Sequence, residues 1–263
     1  MNFKLPYIPE RQNKPRTNGL TMVMDKGLSI REAENIISAS NEYIDFVKLG
    51  FGTSAVVSGV EEKIRTYQKA NIKVYLGGTL FEAFVVRNMF SDYLKLLDKY
   101  QIDTVEVSDG SMSMKHEEKC SYIKELSKNR FVLSEVGAKD ASIVLSSDKW
   151  IAMMEKELEA GSKVLIAEAR ESGNVGIYNS NGTVDTNLID KLLSKIPQAK
   201  ILWEAPLKTQ QVWFIKQYGA NVNLGNIAPN EIIPLETLRL GLRGDTFFNF
   251  LPENLKEMKL TNQ

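Results

Sequence analysis

The chain contains the stretch Lys163-Val-Leu-Ile-Ala-Glu-Ala-Arg-Glu-Ser-Gly173, in which an apolar run leads directly into charged residues. The apolar first half is typical of a short buried strand. Three ionisable side chains then follow within four positions: Glu168, Arg170 and Glu171. Such groups are costly to bury unless they are paired or bind a ligand. The stretch therefore predicts a buried strand whose carboxyl end carries charged side chains that are paired or bind a ligand.

The same order of apolar strand, charged or glycine-rich strand end, and amphipathic helix repeats along the whole chain. Eight strands are predicted, at Leu20–Met24, Ile44–Leu49, Ile72–Leu76, Thr104–Val107, Arg130–Val136, the run after Lys163, Ile201–Glu204 and Val222–Leu224. Eight strand–helix units in a chain of 263 residues predict an α/β fold of the (β/α)₈ TIM-type barrel class. A doubly wound open sheet is the alternative, but it requires no particular count of eight.

The predicted barrel forms a single domain, and composition changes only at the two ends. Residues 1–18 are polar and contain three prolines, so they predict an extended N-terminal arm. The barrel domain is expected over residues 19–251, followed by a polar C-terminal tail over residues 252–263.

The composition excludes several classes of function. Lys and Arg total 33, as do Asp and Glu, so no general attraction to nucleic acid or to an anionic membrane is expected. No apolar run approaches transmembrane length, and the N-terminus lacks the apolar core of a signal peptide, which predicts a cytoplasmic protein. One cysteine and one histidine argue against a disulfide framework, a Ser-His-Asp triad and a multi-histidine zinc site. Acid–base chemistry would then use Lys, Asp, Glu or Tyr, and a metal would be a hard cation bound by oxygen.

In a barrel, the carboxyl ends of the strands converge on one mouth. The predicted strand ends would bring together Lys48, Glu82, Glu106, Asp109, Glu135, Lys139, Glu168, Arg170, Glu171, Glu204, Asn223 and Asn226. Some of these residues are expected to form structural ion pairs, which also occur at such positions. A ring that holds both carboxylates and cations nevertheless suits a divalent metal beside an anionic substrate.

Several sequence blocks together resemble the phosphosulfolactate synthase family, and its bacterial members more than its archaeal ones. The blocks are Lys14-Pro-Arg16, Asp45-Phe-Val-Lys-Leu-Gly50, Gly77-Gly-Thr-Leu-Phe-Glu82, Ser134-Glu-Val-Gly137 with Lys139, Glu168-Ala-Arg-Glu-Ser-Gly173, Trp203-Glu-Ala-Pro206 and Val222-Asn-Leu-Gly-Asn226. The resemblance implies a (β/α)₈ barrel, dependence on Mg²⁺, and addition of sulfite to phosphoenolpyruvate to give (2R)-2-phospho-3-sulfolactate. The family also includes plant relatives linked to heat-stress tolerance.

The resemblance and the strand-end positions assign expected roles. Catalytic roles are expected for Lys139, Lys48 and Glu168, with Lys139 the first choice for the acid that protonates carbon and Lys48 the second. The pool of metal ligands comprises Glu135, Glu168, Glu171 and Glu204, without a choice among them. Substrate contacts are expected from Arg170, Arg16, Gly78, Asn223 and Asn226. A homo-oligomer is also expected, because barrels often associate.

Alternatives to this function remain at the level of sequence. They are a barrel enzyme acting on another enol phosphate or sugar phosphate, and a non-enzymatic stress-protection protein of the same family. The loop over residues 173–185, rich in Gly, Asn and Ser, is interpreted either as a lid over the mouth or as a long exposed connection.

Overall fold

The computed structural model describes residues 2–137, 145–169 and 172–258. Eight strands form one parallel sheet: β1 (Thr21–Asp25), β2 (Phe46–Leu49), β3 (Lys73–Leu76), β4 (Thr104–Val107), β5 (Phe131–Val136), β6 (Val164–Ala167), β7 (Ile201–Glu204) and β8 (Leu224–Ile227). The order across the sheet is β3-β2-β1-β8-β7-β6-β5-β4, so the first strand pairs with the last. The sheet curls into a nearly closed barrel, which confirms the predicted (β/α)₈ class.

Ten α-helices alternate with or follow the strands in the described part of the chain. They are α1 (Ile30–Ser40), α2 (Val60–Lys69), α3 (Gly78–Val85), α4 (Phe90–Lys99), α5 (His116–Leu126), α6 (Ser147–Glu159), α7 (Thr186–Leu193), α8 (Lys208–Tyr218), α9 (Ile232–Arg239) and α10 (Glu253–Lys256). Helix α1 begins with a capping box, in which Ser29 and Glu32 satisfy each other's backbone N–H groups. None of the described helices combines the length and the apolar character needed to cross a membrane.

Alternation along the strands sends one set of side chains into the barrel and the other towards the helices. The larger apolar core lies between strands and helices. A smaller cluster fills the barrel interior and includes Met22, Phe46, Leu133, Ile166 and Leu202. Towards the carboxyl ends of the strands this apolar filling gives way to charged side chains, because the next inward residues are ionisable.

The barrel is completed by side-chain contacts at the seam between β3 and β4, where no strand pairing occurs within the described residues. The N–H of Gly78, at the start of α3, donates to Glu106 Oε1 of β4 over 2.7 Å. Glu82 of α3 accepts from the Ser108 hydroxyl and from the N–H of Ser111. Glutamates therefore join helix α3 to β4 where the ladder is interrupted.

The N-terminal arm runs beneath the amino-terminal end of the barrel. Arg11 fixes it there through an ion pair with Glu236 of α9 at 2.9 Å and a hydrogen bond to Asn221 at 2.6 Å. Helix α10 lies in the segment expected to be a polar tail.

Candidate active site

A cavity of about 540 Å³ opens at the carboxyl ends of the strands. Its polar lining includes Lys48 from β2, Glu135 from β5, Glu168 just after β6, Glu204 at the end of β7 and Asn226 from β8. In a parallel barrel these positions lie at one mouth whatever their distance along the chain. The structure therefore gathers most of the predicted described residues around one cavity.

Three glutamates form a compact oxygen-rich cluster in this cavity. One carboxylate oxygen from each of Glu135, Glu168 and Glu204 lies within 4.8 Å of the other two, and all three side chains are buried. Carboxylate oxygens are the ligands that Mg²⁺ and Ca²⁺ prefer. Asn226 lines the same cavity, and among the described residues its buried side-chain oxygen has no hydrogen-bond donor. This set of oxygens fits a hard divalent cation.

Lys48 is the buried cation beside these glutamates. Its Nζ lies 2.9 Å from Glu106 Oε1, 3.4 Å from Glu135 Oε2 and 3.8 Å from Glu204 Oε1. Burial opposes the charged form, but the negative charges of the glutamates outweigh it and raise the pKa of Lys48 well above its ordinary value. Lys48 is consequently held protonated and fixed in direction.

Glu204 has a carboxyl group whose pKa is raised. Burial, helped by the charges of Glu135 and Glu106, raises its pKa to about 7 despite the opposing charge of Lys48. Its Oε2 also accepts the N–H of Ala169 at 3.0 Å, which fixes the carboxyl group against the β6 end. Near neutral pH this group exchanges a proton at little cost, and a cation would favour its ionised form.

A second buried charge network supports the end of β5. Lys119 of α5 is fully buried, and its Nζ lies 2.5 Å from the backbone oxygen of Glu135. The same Nζ pairs with Asp109 and Glu157, each at 2.9 Å. The sequence reasoning did not identify this network. The helical spacing could have revealed it, because Lys119 lies four residues before Ile123 and therefore on the same buried side of α5.

The loop over residues 173–185 is anchored at Ile177 and Tyr178, while other positions, such as Asn179 and Asn181, are exposed. The Tyr178 hydroxyl donates to the backbone oxygen of Glu204 at 2.6 Å, and Ile177 is fully buried. Gly176 has φ 69°, and a Cβ there would lie 1.9 Å from the backbone oxygen of Glu168. The loop thus packs closely on the strand ends that carry two of the clustered glutamates.

Three predicted site residues lie outside the described residues: Lys139, Arg170 and Glu171. Gly78 lies close to the mouth, but its N–H already donates to Glu106. This contact closes the barrel seam, and the substrate contact expected at Gly78 stays a prediction.

Two predicted residues lie at the opposite end of the barrel, which corrects their expected placement at the mouth. Arg16 belongs to the arm and pairs with Asp45, just before β2, at 3.1 Å. Asn223 precedes β8, which begins at Leu224 and not at Val222 as predicted. Its side chain accepts from the N–H of Leu20 and donates to the backbone oxygen of Ile201, both at strand starts. Because β8 begins two residues later than predicted, Asn223 lies at the start of the strand and Asn226 lies at the mouth.

Comparison with known proteins shows the family of this chain. The sequence model of the (2R)-phospho-3-sulfolactate synthase family matches residues 9–245. Phosphosulfolactate synthase of Bacillus subtilis is 41% identical over 244 residues, covering 92% of this chain and 97% of the relative. The enzyme of the same name from Methanocaldococcus jannaschii is 46% identical over 235 residues, covering 87% and 94%. The bacterial match is longer and the archaeal match is higher in identity.

More distant similarities concern the fold and a plant relative. 3-Hexulose-6-phosphate synthase from Salmonella typhimurium superposes with a TM-score of 0.53 at 15% identity, covering 85% of this chain and 100% of that one. That similarity supports the barrel fold alone. The Arabidopsis thaliana protein HEAT-STRESS-ASSOCIATED 32 is 22% identical over 262 residues, covering 88% of each chain. Given the family match and the identities with its curated members, the chain belongs to the phosphosulfolactate synthase family.

Proposed function

We propose that this enzyme catalyses the Mg²⁺-dependent addition of sulfite to phosphoenolpyruvate, which gives (2R)-2-phospho-3-sulfolactate. The observation that carries the proposal is the buried cluster of Glu135, Glu168 and Glu204 beside Lys48, in a chain of this family. A cluster of oxygen ligands next to a fixed cation suits a phosphorylated carboxylic acid bound with a divalent metal.

The reaction needs groups that stabilise the negative charge of the substrates and intermediate, and it needs no nucleophile from the protein. The sulfur lone pair of sulfite attacks the methylene carbon of phosphoenolpyruvate, and the electrons of the carbon–carbon double bond move towards the substrate carboxylate. A proton then adds to the carbon that bears the phosphate. Sulfite is already a good nucleophile, so the reaction requires no Ser or Cys nucleophile from the protein.

Glu135, Glu168 and Glu204 would hold the metal, with Glu171 as a further member of the expected ligand pool. When bound there, Mg²⁺ would supply positive charge near the substrate carboxylate, on which negative charge develops, as in enolase-type sites. The protein's own part is to orient these carboxylates, which the strand ends of β5, β6 and β7 do.

Lysine and arginine side chains would bring three anionic groups together: phosphate, carboxylate and sulfite. Lys48 is suited to this role because its raised pKa keeps it charged. The same property makes Lys48 a weak proton donor, which favours Lys139 as the acid. Arg170 is proposed to bind a substrate anion, and the Asn226 side chain to orient substrate or a metal-bound water at the cavity wall.

The direct test follows the phosphorus NMR spectrum of the enzyme with phosphoenolpyruvate, sulfite and Mg²⁺. A new phosphate-ester signal that requires both sulfite and Mg²⁺, and that disappears with chelator, is the expected result. Circular dichroism of the same sample provides the control for folding. If folded protein leaves the phosphoenolpyruvate signal unchanged, the proposed reaction is wrong. Activity would then be sought on another enol or sugar phosphate, or the stress-protection role adopted.

We also propose a cytoplasmic homo-oligomer. Sedimentation velocity at micromolar protein concentration tests the second part. A single species at the mass of one 29.6 kDa chain would contradict it.

A further inference from the structure

A second cavity, of about 690 Å³, lies at the amino-terminal end of the barrel, opposite the mouth. One wall is the N-terminal arm at Lys14–Thr17, and the floor is formed by residues at the starts of strands, including Leu20, Phe46, Phe131 and Val164. The arm block Lys14-Pro-Arg16 thus borders this cavity and not the candidate active site. Its position leaves the block without a role in the proposed reaction.

The lining of this cavity is strongly cationic. Its basic members are Lys14, Arg16, Lys73, Lys163 and Lys200, and its acidic member is Asp45. Asp45 is already engaged, because it pairs with Arg16 at 3.1 Å and accepts the N–H of Thr21 at 2.8 Å. Within the described part of the chain the four lysines have no ion pair with a carboxylate. Asp45 and Asp103 attract Lys14 and Lys73 from beyond ion-pair distance, but basic side chains still outnumber the single carboxylate in the cavity lining.

Lys14 is half-buried, whereas Lys73 is exposed but has its ammonium group over an aromatic ring. Lys14 Nζ donates to the backbone and side-chain oxygens of Asn41 at 3.1 and 3.4 Å. Lys73 Nζ lies 3.7 Å from the centre of the Phe131 ring. Burial lowers the pKa of both lysines, which reports the cost of holding an ammonium group there. A bound anion would offset that cost.

The floor between the lysines is apolar and partly aromatic. The Phe46 and Phe131 rings lie 5.8 Å apart between centroids. Phe46 belongs to the cluster that fills the barrel interior, and the half-buried Phe131 packs against that cluster. Residues at this end of a barrel ordinarily stabilise the fold. Lys163 and Lys200, however, are exposed side chains at the rim of an open cavity, where they contribute little to packing.

We propose that this cavity is a second ligand-binding site, specific for a small organic anion with a flat apolar body and a phosphate or carboxylate group. The lysines bind the anionic group, and the apolar body lies against the apolar floor beside Phe131. A cavity of this volume is of the size that encloses small organic ligands. The site binds rather than catalyses, since its acidic lining residue is held by Arg16. The inference does not depend on the reaction proposed at the mouth.

Phenyl phosphate is a suitable probe, and methyl NMR locates where it binds. The methyl groups of Leu20 and Val164 report on the amino-terminal cavity, and that of Met24 reports on the mouth. Saturable shifts of the Leu20 and Val164 signals are expected, with an affinity at least about threefold higher than for inorganic phosphate because the phenyl ring buries apolar area. Shifts at Met24 alone, no saturable shift, or equal affinity for inorganic phosphate would each overturn the assignment.

A charge-reversal variant tests the lysines. The double substitution Lys163→Glu with Lys200→Glu is expected to weaken binding of phenyl phosphate at least about tenfold, since two attractive charges become repulsive. Both positions are exposed, so the fold should survive, as unchanged circular dichroism would confirm. Lys195→Glu is the matched control, an exposed lysine in the loop that leads to the same end of the barrel but outside the cavity lining. Equal weakening by the control and the double variant would contradict the site.

Discussion

The carboxylates at the mouth outnumber the cation beside them among the described residues. Glu106, Glu135, Glu168 and Glu204 face one another around a single lysine, Lys48. Like charges so close raise the free energy of the fully ionised state, unless a proton or a cation compensates them. The three clustered carboxylates of Glu135, Glu168 and Glu204 offer oxygen ligands to a divalent cation, and single substitutions separate those ligands from their surroundings.

Glu168→Gln tests the metal cluster while keeping the shape of the side chain. We expect Mg²⁺ affinity to fall at least about 10- to 100-fold, because even residues outside the first ligand sphere cost that much when changed. Isothermal titration with Mg²⁺ measures the affinity, and circular dichroism monitors the fold. Glu236→Gln is the matched control, since Glu236 is a buried, ion-paired glutamate at the other end of the barrel. Unchanged Mg²⁺ affinity in Glu168→Gln would remove Glu168 from the ligand set.

Glu204 predicts a pH dependence of metal binding. Because its pKa is raised to about 7, the group is mostly protonated at pH 6 and mostly ionised at pH 8 before metal binds. A metal requires the ionised form, so binding should release close to one proton at pH 6 and far less at pH 8. Titrations in buffers with different ionisation enthalpies measure the released protons. Equal proton release at both pH values would show that Glu204 does not titrate in this range.

At the scale of elements, the contacts at the seam between β3 and β4 fix the positions of the Glu106 and Lys48 side chains at the mouth. Helix α3 approaches β4 so closely that a Cβ on Gly78 would lie 2.2 Å from Ser108 Oγ and 2.6 Å from Glu106 Oε1. Glu106 in turn accepts from Gly78 and pairs with Lys48. The geometry of the mouth therefore depends on a glycine at the start of this helix.

Gly78→Ala should destabilise the fold by about 1–3 kcal/mol, because the added methyl group must displace buried neighbours. Catalytic efficiency should fall as well, since Glu106 positions Lys48. Urea unfolding measures the first effect. Gly244→Ala is the control, since a Cβ there meets nothing within 4 Å and a change of this kind at the surface stays within about 0.5 kcal/mol. Equal stability of the two variants would show that the close approach of Gly78 to Ser108 and Glu106 does not matter for the fold.

Strand β8 shows which elements the sequence predicts poorly. The first seven strands carry apolar or β-branched runs, and their predicted positions overlap those observed. Strand β8 is Leu-Gly-Asn-Ile, with Gly225 packed against Leu202 and with Asn226 at φ 56°. Neither residue favours a strand, so the apolar pattern placed the strand two residues too early. Tertiary packing at Gly225, where a Cβ would clash with Leu202, overrides the low intrinsic strand propensity of this segment.

For the whole molecule, the count of eight strand–helix units sufficed to predict the barrel and its functional end. The glutamate cluster followed, because each member comes at or just after the end of a clearly predicted strand. The placement of the arm could not be predicted in this way. Arg16 reaches Asp45 through the path of an extended segment that has no periodic pattern. Segments without periodicity are positioned by distant contacts, such as that of Arg11 with Glu236.

The three glutamates of the metal cluster lie at the ends of β5, β6 and β7, so metal binding should stabilise the whole barrel. A ligand that binds only the folded state stabilises it by about 2.7 kcal/mol at a concentration of 100 times its Kd. For a chain of this size each kcal/mol corresponds to about 2–4 °C, so saturating Mg²⁺ should raise the Tm by about 5–10 °C and excess chelator should reverse the shift. Differential scanning calorimetry measures it. Glu168→Gln should lose most of the shift, whereas Glu236→Gln should keep it despite a lower starting Tm. A Tm that does not respond to Mg²⁺ in the unsubstituted protein would mean that the three carboxylates hold no metal in the resting enzyme.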